Sequence, residues 1–283
     1  MVVLGPTAGG KSEFAIRLAK RVKGEIVSFD AMQVYRGLPL LTNQPSKKDQ
    51  RGIRHHLIGS LPLSQEFSAA QFSQKAKAVI QDVLRRGKIP ILVGGSGFYL
   101  KALLEGTHAP IKADPSFRKK YHALFKEKGS AFLYERLRSV DPKRARKIHP
   151  NDSYRLIRAL EIFETTGKKP SEFGKERGGL TELFRVHKIG LRLPRKALYR
   201  RIDRRVERMI QEGALKEVRG HLKKKLSFTA KKIIGFEELS LVLKRKCSLE
   251  EAVLNIQRAT RHYAKRQETW FRREKGVRWI SRP

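Results

Sequence analysis

Gly5-Pro6-Thr7-Ala8-Gly9-Gly10-Lys11-Ser12 fits the pattern G-x-x-x-x-G-K-[ST] at every fixed position. Each residue type has a task in phosphate binding. Glycines let the backbone turn its N–H groups inward around phosphate oxygens. A helix starting at Lys11 adds the positive end of its dipole. Lys11 brings a mobile charge, and the Ser12 hydroxyl is placed to ligate Mg²⁺. The stretch predicts a pyrophosphate or nucleotide site without saying which ligand fills it.

Asp30 is the second candidate. P-loop enzymes that hydrolyse nucleotides place an acid at the end of a second buried strand, where it holds the metal or a water. Here the apolar run Ile89 to Val93 ends in Gly94-Gly95 instead. The strand-end acid is Asp30, after the run Glu25 to Phe29, a strand expected to lie next to the phosphate-loop strand. It reads as a general base facing whatever sits over the phosphates. Helix capping or ordering of Mg²⁺ is the alternative role.

The elements that must position these residues follow from periodicity. Val2 to Leu4 is a short strand entering the Gly-rich turn. Phe14, Ile16, Leu18, Ala19 and Val22 have helical spacing over 11–22. Ser68-x-x-Gln71 is a capping box for a helix over 68–86. The run Ile89 to Val93 is apolar throughout, as a buried parallel strand should be, and a helix over 98–104 follows it. Alternating strands and helices predict an α/β fold: a P-loop NTPase-like parallel sheet core flanked by helices. Beyond residue 110 the segments 116–127, 130–139, 142–148 and 152–166 are all helical. A strand over 188–193, a basic helix over 195–212 and a helix capped by Ser248-x-x-Glu251 restore the core. The division is therefore a catalytic core of 1–111 and 185–283 around an all-helical insertion of 112–184.

The chain has 283 residues, with 63 Lys+Arg against 27 Asp+Glu, a net charge of +36. Residues 1–110 hold 16 basic and 7 acidic side chains, and the remainder holds 47 and 20. Such an excess predicts a polyanionic partner, nucleic acid before an anionic membrane surface. No apolar run reaches the roughly eighteen residues that a membrane span needs. The N-terminus lacks a basic region followed by an apolar segment and a cleavage site. A single cysteine, Cys247, excludes an internal disulfide framework and a multi-cysteine zinc site. Together these predict a cytoplasmic protein. The adjacent His55-His56 cannot share one helix face and read as loop or packing residues. Trp270 and Trp279 read as packing anchors.

Six blocks carry a family resemblance. Residues 28–37, SFDAMQVYRG, closely resemble the S-x-D-S-x-Q-x-Y-x-G stretch of the tRNA dimethylallyltransferases, which prenylate the adenine next to the anticodon. His55-His56-Leu57-Ile58 is similar to their P-H-H-L-I, and residues 92–99 to V-G-G-T-G-L-Y. Ile148-His149-Pro150-Asn151-Asp152 with Arg155 and Arg158 resembles I-H-P-N-D-x-x-R-x-x-R. Residues 234–238 resemble I-G-Y-K-E, and 260–271 resemble T-R-x-Y-A-K-R-Q-x-T-W-F. The blocks stand in the family's order over nearly the whole chain. There are departures: Gly9 and Ala31 replace serines, Phe236 replaces a tyrosine, and Gly59 stands where aspartate is common.

The resemblance implies transfer of a dimethylallyl group from dimethylallyl diphosphate to the exocyclic amine of adenine in a tRNA anticodon stem-loop. It implies Mg²⁺ held at Ser12 and no obligate protein partner. It makes Asp30, Thr7 and Lys11 catalytic, and it gives the diphosphate to Gly5, Pro6, Thr7, Ala8, Gly9, Gly10, Lys11, Ser12 and Arg201. It assigns tRNA contacts to Asp30, Ala31, Met32, Gln33, Ser96, Arg118 and the segment Tyr154, Arg155, Leu156, Ile157 and Arg158. Arg155 and Arg158 are three apart and share a helix face. Three other readings share parts of the pattern. A transferase acting on free adenine nucleotides would have the same loop and Asp30. A small-molecule kinase fits the first 110 residues but not the basic remainder. A non-catalytic RNA-binding protein with a relic loop is opposed by the intact Lys11, Ser12 and Asp30.

Overall fold

The computed structural model describes residues 1–106, 114–173 and 178–281. The chain divides into two compact units, Met1–Glu105 with Gly178–Pro283, and Gly106–Arg177. The expected limit at 111/112 lies outside the described residues. The expected limit at 184/185 is corrected: residues 178–184 belong to the first unit. Leu180 is buried in its core, and the Thr181 hydroxyl donates to the Leu104 carbonyl at 2.7 Å.

Among the described residues of the first unit, six strands form one parallel sheet. They are β1 (Val2–Leu4), β2 (Gly24–Ser28), β3 (His55–His56), β4 (Ile89–Gly94), β5 (Lys188–Arg192) and β6 (Val277–Ser281), in the order β3-β2-β4-β1-β5-β6. The order corrects one expectation. β2 does not adjoin the phosphate-loop strand β1, because β4 lies between them. β6 and the two-residue β3 escape sequence reading. β6 is only half-buried, so its residues do not form the apolar run of a central strand.

Both faces of the sheet are covered, which is why its central strands are apolar throughout. Val2 and Leu4 point to one core, and Val3 between them points to the other, the two-residue alternation of a strand. On the Val3 face lies α1 (Lys11–Val22), with Ala15, Ile16 and Ala19 buried. On the other face lie α2 (Ala69–Arg85) and α3 (Gly97–Glu105). Ser68 closes the expected capping box with Gln71.

The second unit has its own core, which includes Phe117, Tyr121, Leu133, Leu137, Leu156 and Leu160. Its helical run α4 (Pro115–Val140) breaks at Gly129 (φ 76°, ψ −179°), where two separate helices were expected. α5 (Ser153–Thr166) starts on the Asp152 side chain, which accepts from the Arg155 N–H. Back in the first unit, α6 (Arg195–Gln211) and α7 (Leu249–Phe271) complete the wall beside the sheet, and Ser248 caps α7 through the Glu251 N–H.

At the N-terminal ends of the strands a charge cluster ties β2, β3 and the end of α2 together. Glu25 is 2% exposed and accepts from Arg86 Nη2 at 2.9 Å and from Arg86 Nη1. Its carboxylate also lies 2.7 Å from His56 Nε2 and 3.3 Å from Lys88 Nζ. The histidine pair, expected in a loop or packing role, forms β3, and only His56 joins this charge cluster. The Arg86 hydrogen bonds outweigh burial and hold the Glu25 carboxyl down at about 2. A depressed carboxylate stabilises the fold above its unfolded-chain value and loses that contribution as pH falls through the folded one. Glu25→Gln should therefore cost about 2 kcal/mol at neutral pH, less than a fully buried pair because Arg86 is partly solvated. The deficit should shrink as pH falls from the ordinary glutamate range toward 2. Urea melts at several pH values measure it, and a deficit that does not change with pH contradicts the assignment.

Candidate active site

The phosphate loop needs its glycines for measurable reasons. Gly5 has φ 147°, and a Cβ there would lie 2.8 Å from the Leu191 carbonyl of β5. Gly10 has φ 82° at the start of α1. Gly9 donates its N–H to the Pro6 carbonyl at 3.1 Å, and a Cβ there would lie 2.8 Å from that same oxygen. The serine usual in the family would require this loop to shift. Lys11 Nζ donates to the Pro6 carbonyl at 2.6 Å. Ser12 is exposed at the helix start, and Thr7 and Ala8 are half-buried.

Asp30 reaches this loop across the end of β4. A Cβ at Gly94 would lie 2.7 Å from the Phe29 backbone, so only glycine lets the two chains pass that closely. Asp30 Oδ1 accepts from the N–H groups of Met32 at 2.9 Å and Gln33 at 3.4 Å. The aspartate therefore caps its own turn, the alternative role foreseen for it. Among the described residues no hydrogen bond reaches Oδ2, which leaves one carboxylate oxygen for chemistry. The Ala31 N–H donates to Ser96 Oγ at 2.9 Å. Gln33 is spent on the loop itself, accepting from Ser28 Oγ at 3.0 Å and donating to the Asn43 carbonyl at 2.8 Å. Met32 packs against the core.

The residue that completes the cradle is Arg205, which sequence reading missed. Its Nη1 donates to Thr7 Oγ1 at 2.8 Å. Arg201, the expected residue, is one turn earlier on α6 and exposed. The buried stripe of α6 is Leu198, Ile202, Val206 and Met209. Arg201 and Arg205 each precede a member of that stripe, so periodicity identifies the row but not the member that meets Thr7. Burial pulls Lys11 down to about 8, against the opposing pull of Asp30. Burial likewise pulls Arg205 down to about 10. Two neighbouring cations with lowered ionisation suit an anionic ligand.

α7 adds two more residues that sequence reading did not single out. Gln267 is 5% exposed; its Oε1 accepts from the Thr7 N–H at 2.8 Å and its Nε2 donates to the Gly95 carbonyl at 2.9 Å. Tyr263 lies beside Ser96 and Gln267, and burial followed by the Asp30 charge pushes its ionisation up. The signal available for the pair was their four-residue spacing, which puts both on one helix face.

The assembled group puts the cations of Lys11 and Arg205 within reach of the Asp30 charge. The family model described as IPP transferase matches residues 33–274. The chain belongs to the IPP transferase family. It is 43% identical over its whole length to a tRNA dimethylallyltransferase of Geotalea uraniireducens, 92% of which is covered. Among solved structures, the full-length tRNA isopentenylpyrophosphate transferase of Bacillus halodurans superposes with a TM-score of 0.71 at 37% identity, covering 99% of this chain and 88% of that one. A eukaryotic dimethylallyltransferase acting on tRNA gives a TM-score of 0.82 at 31% identity, with 99% and 73% covered.

In this IPP transferase the RNA-contact residues expected in the second unit divide into two kinds. Tyr154 and Arg155 are exposed, and Arg155 pairs with Asp152. Leu156 and Ile157 are 0% and 4% exposed in the unit's core, so their side chains cannot serve as contacts. Arg118 and Arg158 converge on the buried Glu161, at 3.0 Å and 2.5 Å. Burial alone would raise the Glu161 carboxyl, but the two guanidiniums outweigh it and hold it low. Among the described residues no cluster of three or more His, Cys, Asp or Glu forms a metal site, and no helix is long and apolar enough to cross a membrane.

The Lys11 charge generates a prediction. The cation is lost as pH rises through about 8, and a bound diphosphate needs it protonated. The Kd of a diphosphate ester should rise above that pH, approaching about tenfold per unit. Lys11→Arg should flatten the dependence, because a guanidinium stays charged. Calorimetric titration across this range checks it; a wild-type Kd that does not vary with pH contradicts it.

Proposed function

We infer that the chain transfers the dimethylallyl group of dimethylallyl diphosphate to the exocyclic amine of the adenine 3′ to the anticodon in tRNA, releasing diphosphate. The observation that carries the reading is the nearness of the Asp30 carboxylate to Lys11 and Arg205, whose charges it acts on. A prenyl diphosphate needs cations at its leaving group, and an amine acceptor needs a base on the far side of the reacting carbon.

The amine nitrogen attacks C1 of the dimethylallyl group, and the C1–O bond breaks. The bonding electrons pass to the bridging oxygen of the diphosphate. Lys11, Arg205 and the start of α1 stabilise that charge by electrostatics already in place. The adenine amine is a weak nucleophile because its lone pair is delocalised into the ring. Asp30 Oδ2 orients it and takes its proton as the C–N bond forms. Thr7 positions the Arg205 guanidinium through the 2.8 Å hydrogen bond. The Ser12 hydroxyl, exposed at the start of α1, would hold Mg²⁺, and the ion would supply further neutralisation of the diphosphate.

The acceptor base must leave the anticodon stack before its amine can be reached. Ser96 and the turn at Ala31–Gln33 border the Asp30 carboxylate and are the assigned surroundings of that base. In the second unit the RNA contacts go to Tyr154 and Arg155, with Arg118 and Arg158 supplying charge beyond what Glu161 neutralises. The reading places the enzyme in the cytoplasm with its tRNA.

The direct test incubates the protein with dimethylallyl diphosphate, Mg²⁺ and tRNA, with AMP and ATP in parallel, and weighs the nucleosides. A prenyl mass gain on tRNA adenine is expected; modification of AMP alone, or phosphate transfer from ATP, sinks the proposal. Asp30→Ala should lower kcat by about 10²–10⁴-fold while tRNA affinity stays within a few-fold. Turnover within about tenfold of wild type means Asp30 is not the base. tRNA affinity should fall steeply with added salt, and a flat salt response would rule out the basic surface as the RNA-binding face.

A further inference from the structure

Gln267 joins two parts of the candidate site through its side-chain amide. It is buried near the C-terminal end of α7, yet both ends of its amide are committed to loops distant in sequence. Oε1 holds the Thr7 N–H of the phosphate loop, and Nε2 holds the carbonyl of Gly95. Gly95 precedes Ser96, whose hydroxyl accepts the Ala31 N–H beside Asp30. Tyr263, one turn earlier on the same face, lies half-buried beside Ser96 and Gln267. A Cβ on Gly95 would lie 2.0 Å from the Gln267 Nε2, and a Cβ on Gly97 would lie 2.1 Å from the Trp270 ring. The glycines after β4 thus seat α7 against the strand ends. A path of three hydrogen bonds, joined through the Gly95–Ser96 peptide, then runs from Thr7, whose hydroxyl accepts from Arg205, to Ala31, which follows Asp30.

We propose that Gln267 is a positioning residue that fixes the spacing between the diphosphate cradle and the Asp30 carboxylate. An in-line displacement needs the base-oriented amine and the leaving oxygen on opposite sides of one carbon. A small error in that span removes reactivity while leaving each half of the site able to bind. The path accounts for the span: each half has its own contacts, and the Gln267 amide is the link they share. An amide suits the task because it offers one acceptor and one donor in a plane. A methionine of similar volume offers neither at those positions.

The proposal rests on the transfer reaction above, and wild-type activity on tRNA separates the two. If the wild type is inactive, that reading falls; if it is active and the variants below match it, the positioning role alone falls. Gln267→Met should lower kcat by about 10–100-fold, with KM for each substrate within about threefold of wild type. Gly95→Ala pushes the amide aside from the opposite loop and should give the same pattern. The double variant should be no worse than either single, because both break one link. Gln267→Glu supplies the sharpest readout. Its protonated carboxyl reproduces the acceptor and the donor, whereas its carboxylate faces the Gly95 carbonyl without a proton. The ratio of its kcat to wild type should therefore climb as pH is lowered, while the Gln267→Met ratio stays level. A Gln267→Met kcat within threefold of wild type, a loss confined to KM, or a Gln267→Glu ratio that ignores pH overturns the proposal. So does a loss of activity that follows loss of folded protein in every variant, which would make the amide a strut and nothing more.

Discussion

Two cations that repel each other are held partly out of water at the ends of parallel strands. Lys11 and Arg205 are both drawn down from their ordinary ionisation by burial, and Asp30 is the nearby charge that opposes this. Such a pair is unfavourable until an anion arrives, so the rest of the unit must keep it in place. The Pro6 carbonyl holds the lysine, and the Thr7 hydroxyl holds the arginine. α6 brings Arg205 there because its apolar stripe packs inward, and the sheet's other end is anchored by Glu25. The site is pre-organised toward an anion, and most of its geometry answers that one electrostatic demand.

Close backbone approach is the means by which the acceptor side is brought in. β4 separates the phosphate-loop strand from β2, so the Asp30 turn must cross the end of an intervening strand. It crosses where β4 ends in glycines and no Cβ stands in the way. The same absence of side chains admits Gln267 and Trp270 from α7. The Gly94-Gly95 pair, which in sequence only marks a missing acid, is a passage for Asp30 and a seat for the C-terminal helix. The net charge of +36 has a different part. It provides long-range attraction for a polyanion, and few of the basic side chains belong to the cradle. Even in the insertion, Arg118 and Arg158 are partly engaged by Glu161, so counting basic residues overstates the charge that faces outward.

How far the sequence could be read differed from element to element. The loop at 5–12 and the caps at Ser68 and Ser248 were legible because local geometry dictates their residue types. The core strands were legible from their unbroken apolar runs. β6 was not, because it is half-buried and gives no such run. The segment 156–157 sat inside a binding motif, yet its side chains face a core, a distinction that helix phase makes and a motif does not. Residues 178–184 looked like insertion because they are helical, but Leu180 is buried in the first unit.

The sequence by itself determined the phosphate loop, the general base candidate, the α/β class, the helical insertion and the family. These depend on residue types at short spacings, where covalent geometry leaves few options. The tertiary structure decided the strand order, the choice of Arg205 over Arg201 beside Thr7, and the bridging of Thr7 to Gly95 by Gln267. Each of these joins residues far apart in the chain. Their meeting is set by how helices with an apolar stripe come to rest on a sheet, and the phase of that packing is a property of the whole core rather than of any local stretch.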